Sequence, residues 1–201
     1  MSRSFCIAPI VEGHGEVQSV PILLRRFAER FVPGDRLVLN PALRVKSASF
    51  TNDTNYFRKY VELAARKAKQ QPSSCVLILL DCEDACPRAL GPALLERATS
   101  CRPDVTTIVV LAHREFETWF ATAARSLRRV CGLPAELEPP ENPESLRDAK
   151  GWLSRQMGQP YNAPEHQARF TEAFSFDEAM VNRSFARGFK KLRFFLAGMN
   201  R

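Results

Sequence analysis

The chain has 201 residues, with 29 Lys+Arg against 22 Asp+Glu and a formal charge of +7. Hydrophobic residues at 45% and charged residues at 25% exclude a mostly disordered chain, and the length suits one compact core that needs no disulfide or metal staple. No stretch approaches the roughly 20 apolar residues of a membrane span. No leader-like pattern precedes the first apolar run, and the six cysteines form no C-x-x-C pair. The expectation is a cytoplasmic protein with reduced thiols and no membrane contact. The charge points to an anionic partner without choosing which.

In chain order, Phe5 to Val11 reads as a short buried strand. Val17 to Phe31 reads as a helix whose regular part starts near Pro21. Arg36 to Lys46 reads as a strand broken at Asn40-Pro41, and Asp53 to Gln71 as an amphipathic helix. Cys75 to Leu80 is a continuous run of branched apolar residues, the mark of a strand buried on both faces. A helix near Leu90 to Thr99 follows, then a second buried strand, Thr106 to Ala112, then a helix over Glu115 to Val130. Strands alternating with helices predict an α/β fold with a mostly parallel, Rossmann-like sheet of about four strands flanked by helices.

The character changes at the Pro/Glu-rich segment Gly132 to Pro143. Only helical patterns follow: one capped by Asn142 with Pro143 at its first position, one near Pro164 to Ala173, a capping box at Ser175 to Glu178, and a last helix with Phe185, Phe189, Leu192 and Leu196 on one stripe. The expected organisation is an α/β domain over residues 1–131 and a helical lobe over 132–201 packed on it.

Two acidic clusters fall where an open parallel sheet binds ligands, beyond the carboxyl ends of its strands. Glu12-Gly13-His14-Gly15-Glu16 follows the first strand, and Asp81-Cys82-Glu83-Asp84 follows the most buried one. Brought together, these carboxylates would repel one another unless a cation neutralised them, and oxygen-only donors favour Mg²⁺ or Mn²⁺. Such an ion serves phosphodiester cleavage by holding phosphate oxygens and activating water. Gly13 and Gly15 would let the backbone approach a phosphate. The plainer reading is two solvated acidic loops, with Glu16 favourable at a helix N-terminus.

The two clusters resemble a TOPRIM domain, which pairs an acid after its first strand with a D-x-D motif after a later one. VEGHGE is similar to the first signature, with Glu12 in the key place; LLDCEDA is similar to the second, with Asp81 as the first acid and Glu83 where the second aspartate stands. That substitution keeps the charge on a longer arm, and Asp84 is an additional acid. Glu16 resembles the extra glutamate of OLD-like TOPRIM nucleases. The resemblance extends to an OLD-like family, domain of unknown function 4276, through VEGHGE, the central acids, REFETWF and NRSFARGFKKL. It implies metal-dependent nuclease chemistry on DNA or RNA, with Glu12, Glu16, Asp81 and Glu83 catalytic. Glu12, Asp81, Glu83, Asp84 and Glu117 would be metal ligands, Glu117 being preferred to Glu115 for a second site. Small proteins of this type look like effectors of bacterial defence systems that act with a P-loop ATPase partner. This chain has no G-x-x-x-x-G-K-[ST] of its own.

Three further positions stay open between two roles. Lys150 is either a phosphate ligand or a solvated helix residue. Arg183 and Ser184 open the last helix and either bind phosphate or belong to its N-terminal cap. An alternative function for the whole chain is a non-catalytic nucleic-acid or nucleotide-binding regulatory module. The charge is uneven: the segment after Glu178 contributes +6, and residues 1–178 together only +1.

Overall fold

A computed structural model describes residues 2–69, 71 and 73–198. Five strands form one parallel sheet: β1 (Ser4–Val11), β2 (Arg36–Leu39), β3 (Leu43–Arg44), β4 (Ser73–Asp81) and β5 (Thr106–Ala112). Their order is β2-β1-β4-β5, with β3 also on β1. The helices are α1 (His14–Phe31), α2 (Ser47–Asn52), α3 (Thr54–Ala68), α4 (Pro87–Cys101), α5 (Glu117–Thr122), α6 (Ala149–Met157), α7 (Ala163–Ala173), α8 (Phe176–Ala179) and α9 (Arg183–Leu196). No helix among the described residues is long and apolar enough to cross a membrane.

The strands are apolar in nearly every position because both sheet faces are covered. Ile7, Cys75, Leu77, Leu79, Ile108 and Val110 face one core with α1 and the helices from α5 onward. Ala8, Ile10, Val76, Ile78, Leu80, Val109 and Leu111 alternate onto the other, against α3 and α4. The C-terminal helices therefore form one layer of a three-layer sandwich. Arg26 ties that layer to α1 through the Thr171 and Phe174 carbonyls, at 2.6 and 2.8 Å.

The edge beside β1 is split into β2 and β3, and Pro9 is the reason. The Ile7 and Val11 carbonyls accept from Asn40 and Val45 N–H groups on that side. By strand alternation Pro9, midway between them, turns its hydrogen-less nitrogen to the same side. The ladder breaks there, opposite Asn40-Pro41.

Helix α2 lies outside the sequence expectation, and three expected elements differ from it. Helix α1 begins at His14, not near Pro21, and carries Pro21 inside. Burial of Val20, Leu23, Leu24 and Phe27 of the same helix in the core outweighs the lost backbone bond. Helix α5 stops at Thr122 and continues as 3-10 turns at Ala124–Leu127 and Val130–Gly132. Ala121, Ala123, Ala124 and Leu127 are buried all round, and Ser126 N–H is taken by the Glu178 carboxylate at 3.1 Å; tertiary contacts override helical periodicity there. Asn142-Pro143 opens only a 3-10 turn, and the helix that follows is capped by Asp148, which accepts from Gly151 N–H at 2.8 Å.

Candidate active site

The carboxyl ends of β1, β4 and β5 lie side by side, since Val11 is in register with Leu79 and Asp81 with Ala112. Each strand delivers acids into the same space. Glu12 follows β1, Asp81 ends β4, and the turn after β5 leads to Glu115 and Glu117. Glu16 reaches in from the first turn of α1. Its carboxylate lies directly over Gly13, where an added Cβ would sit 2.1 Å from Oε2.

The connections are drawn tight. Cys82 N–H donates to the Ala112 carbonyl at 3.0 Å and Glu83 N–H to the Arg114 carbonyl at 3.1 Å, extending the β4–β5 ladder past the strands. Both turns need left-handed backbone at non-glycine residues, Glu83 (φ 44°) and Arg114 (φ 64°). Such conformations persist only where the surroundings enforce them, and they gather at functional sites. Phe116 N–H donates to Asp81 Oδ1 at 2.8 Å, fixing that carboxylate.

Burial is severe for this charge density. Glu117 is 1% exposed and Glu16 6%. Oε2 of Glu12, Oε2 of Glu16 and both oxygens of Glu117 are buried without a hydrogen-bond partner among the described residues. Buried polar atoms are otherwise paired almost throughout folded proteins. The carboxylates repel one another accordingly. Burial, then Glu117 and Glu16, push the Asp81 pKa well up. Burial pushes Glu117 up to about 7 against the pull of Lys150. Glu12 is raised by burial and by Glu83 and Glu16, with the nearby Ser47 side chain opposing.

Lys150 is the one cation inside the cluster among the described residues. Its Nζ lies 3.6 Å from Glu115 Oε1 and 3.5 Å from Glu117 Oε2. Burial alone would lower its pKa; Glu117, Glu115, Asp81 and Glu16 together raise it instead. Glu115 holds the lysine's helix, accepting from Ala149 and Lys150 N–H groups at 3.0 and 3.3 Å. Glu115 therefore positions α6, while Glu117 points inward.

Two neighbours carried no sequence signal. Gln167 of α7 donates to Glu16 Oε1 at 3.2 Å. Tyr161, in the loop before α7, is pushed strongly up in pKa by burial and by Glu117 beside it. Neither belongs to a motif; only the packing of α7 on α1 brings them in.

The remaining candidate residues lie elsewhere. Glu83 is exposed at the rim, within repulsive reach of Glu12. Asp84 faces outward, 80% exposed, toward Arg114 at 3.0 Å and Arg147 at 3.6 Å. Gly15 is buried under α7, where an added Cβ would meet Gln167 Oε1 at 1.7 Å and Ala163 Cβ at 3.0 Å. Arg183 is bound to Glu144, with N–H and Nε both 2.7 Å from its carboxylate. Ser184 accepts from Trp119 Nε1 at 2.8 Å and donates to Asn182 Oδ1 at 2.7 Å, so it is part of the α9 cap.

A divalent cation fits the donor chemistry: hard oxygen donors, several of them orphaned, on three adjacent strand ends. Among the described residues no three acids are already gathered into a closed ion cage.

The model of a family described as Domain of unknown function (DUF4276) matches residues 11–193. No curated protein and no solved structure matches the chain.

Proposed function

The chain belongs to the family Domain of unknown function (DUF4276), and we propose that within it this protein is a TOPRIM-like, OLD-like, metal-dependent phosphodiester-cleaving enzyme. The observation that carries the reading is the set of orphaned, buried carboxylate oxygens on Glu12, Glu16 and Glu117 beside Asp81. Structural acid clusters are paired off with arginines or backbone amides, as Asp84 and Glu115 are here. Leaving such atoms unpaired costs about 1–3 kcal/mol each, a cost that a bound cation removes.

Glu12, Glu16, Asp81 and Glu117 would hold Mg²⁺ or Mn²⁺, with Glu83 at the rim. The ion supplies Lewis-acid charge to a phosphate oxygen and lowers the pKa of a bound water. Asp81, fixed by Phe116 N–H, sets the direction of the site. Lys150 balances part of the negative charge and stands ready for a phosphate oxygen once Glu117 is otherwise engaged. Without the ion, burial holds Glu117 at a pKa of about 7, so it carries a proton part of the time at neutral pH, and binding the ion would release that proton. The covering helices α6 and α7 keep bulk water from the inner carboxylates.

The substrate class proposed is DNA or RNA, in the cytoplasm. A P-loop ATPase is the proposed partner, in a defence-type assembly. Titration calorimetry with Mn²⁺ tests the site. Asp81→Asn should abolish binding, and plasmid nicking or RNA cleavage should depend on Mg²⁺ or Mn²⁺ and vanish in the same variant. Unchanged Mn²⁺ affinity in Asp81→Asn would sink the reading.

A further inference from the structure

A second concave feature lies apart from the acid cluster. A groove of about 570 Å³ runs along the outer edge of β5, between α4 and α9. Strand β5 ends the sheet, so its outward backbone faces this groove. Pro92 and Leu95 of α4, Val109 to Leu111 of β5 and Gly188 of α9 give it an apolar floor. Helix α9 comes close enough that a Cβ on Gly188 would sit 2.7 Å from Val110 Cγ1.

The rim is mostly cationic, and its acid, Glu144, is paired by Arg183. Arg88, Arg187 and Lys191 line the groove from both helices. Arg88 and Arg187 are exposed and make no ion pair among the described residues. An open sheet edge invites an added peptide strand, but this one is blunted. Lys191 Nζ donates to the Val109 carbonyl at 2.6 Å and so occupies an acceptor that an added strand would need. The upper end of the groove is lined by Cys86 and His113. His113 is the residue after Ala112, the register partner of Asp81. The groove thus opens at the strand ends that carry the acid cluster.

We infer that this groove binds a single nucleic-acid strand, with phosphates on Arg88 and Arg187 and bases over Pro92 and Leu95, and feeds it toward the acid cluster. The inference rests on the phosphodiester reading above and names its substrate as single-stranded. Ligand clefts of roughly 300–1,000 Å³ enclose small units, so a groove of about 570 Å³ matches one or two nucleotides of a strand at a time. Unpaired Arg88 and Arg187 supply the backbone charge that single strands require, and their guanidinium planes with Pro92 and Leu95 offer apolar and cation–π contact to bases in place of aromatic stacking.

The test is fluorescence anisotropy with labelled single-stranded and duplex oligonucleotides, in EDTA. Arg88→Ala with Arg187→Ala, both exposed, should weaken single-strand binding by about tenfold or more and flatten its salt dependence by roughly 0.7 per charge removed. Glu12→Gln with Asp81→Asn should leave the binding intact, which separates this inference from the metal site. Equal affinity for duplex, unchanged binding in the arginine variant, or displacement by poly-glutamate as readily as by unlabelled oligonucleotide would each overturn it.

Discussion

Lys150 Nζ stands 3.5 Å from Glu117 Oε2, a carboxylate only 1% exposed, and is the nearest thing to a counter-ion that this acid has. The contact is longer than a hydrogen bond, so it neutralises charge without satisfying the oxygen. Lys150→Met removes that charge and leaves Glu117 buried alone. Breaking a fully buried pair costs about 3–5 kcal/mol. With the Lys150 side chain 45% exposed, solvent screening reduces the expected loss to ~1–2 kcal/mol. Urea unfolding measures it. The same variant should bind Mn²⁺ more tightly, because the ion no longer competes with a resident ammonium; weaker Mn²⁺ binding would mean that Lys150 supports the carboxylates rather than competing for them.

Glu117 also makes metal-free stability depend on pH. Its pKa is about 7 in the folded chain against an ordinary 4.5. Between those values the folded state binds more protons than the unfolded one, so stability falls as pH rises, and the loss is complete above about pH 7. At 1.36 kcal/mol per unit the full effect is ~3 kcal/mol. Asp81, raised in the same direction, adds to it. Thermal melts in EDTA from pH 5 to 8 should show a falling Tm that flattens in Glu117→Gln. Saturating Mn²⁺ should flatten it too. A Tm that rises across this window in EDTA would contradict the assignment.

Gly15 tests whether the first glycines serve a phosphate or the packing. An added Cβ would sit 1.7 Å from Gln167 Oε1, and Gln167 is fully buried and hydrogen-bonded to Glu16. Gly15→Ala must displace Gln167 and free Glu16, at an overpacking cost of about 1–3 kcal/mol. The expected outcome is lower stability in urea together with altered Mn²⁺ affinity. A glycine present only for phosphate approach would show neither effect.

Most of the architecture was legible because it rests on strong local patterns. The runs Cys75 to Leu80 and Thr106 to Ala112 announce buried parallel strands, and the acids after them follow from the strand ends. What escaped is set by tertiary contact. The resemblance favours Glu117 over Glu115 for the site, but that Glu115 instead holds the first amides of α6 comes only from packing. Lys150 stands open in the sequence between a phosphate ligand and a solvated helix residue, and only the docking of α6 beside the turn after β5 sets it against Glu117. Tyr161 and Gln167 enter only through the α1–α7 packing. The basic tail was legible as charge, but Arg88, across the groove on α4, was not, because no sequence spacing relates it to Arg187.

Ser184 separates the two roles open to the start of α9. Its hydroxyl links Trp119 Nε1, at 2.8 Å, to Asn182 Oδ1, at 2.7 Å, inside a buried chain. Asn182 itself accepts from Ser184 and Phe185 N–H groups, so the first turn of α9 is already capped. Ser184→Ala strands the indole N–H without an acceptor, at a cost of about 1–3 kcal/mol. Urea unfolding followed by tryptophan fluorescence reads this loss, and the emission should shift because Trp119 is 1% exposed. Oligonucleotide affinity should stay at the unmutated value, since Arg88 and Arg187 rather than Ser184 face the groove unpaired. If Ser184 were instead a phosphate ligand, the substitution would lower affinity and leave stability nearly unchanged, the reverse pattern in both measurements.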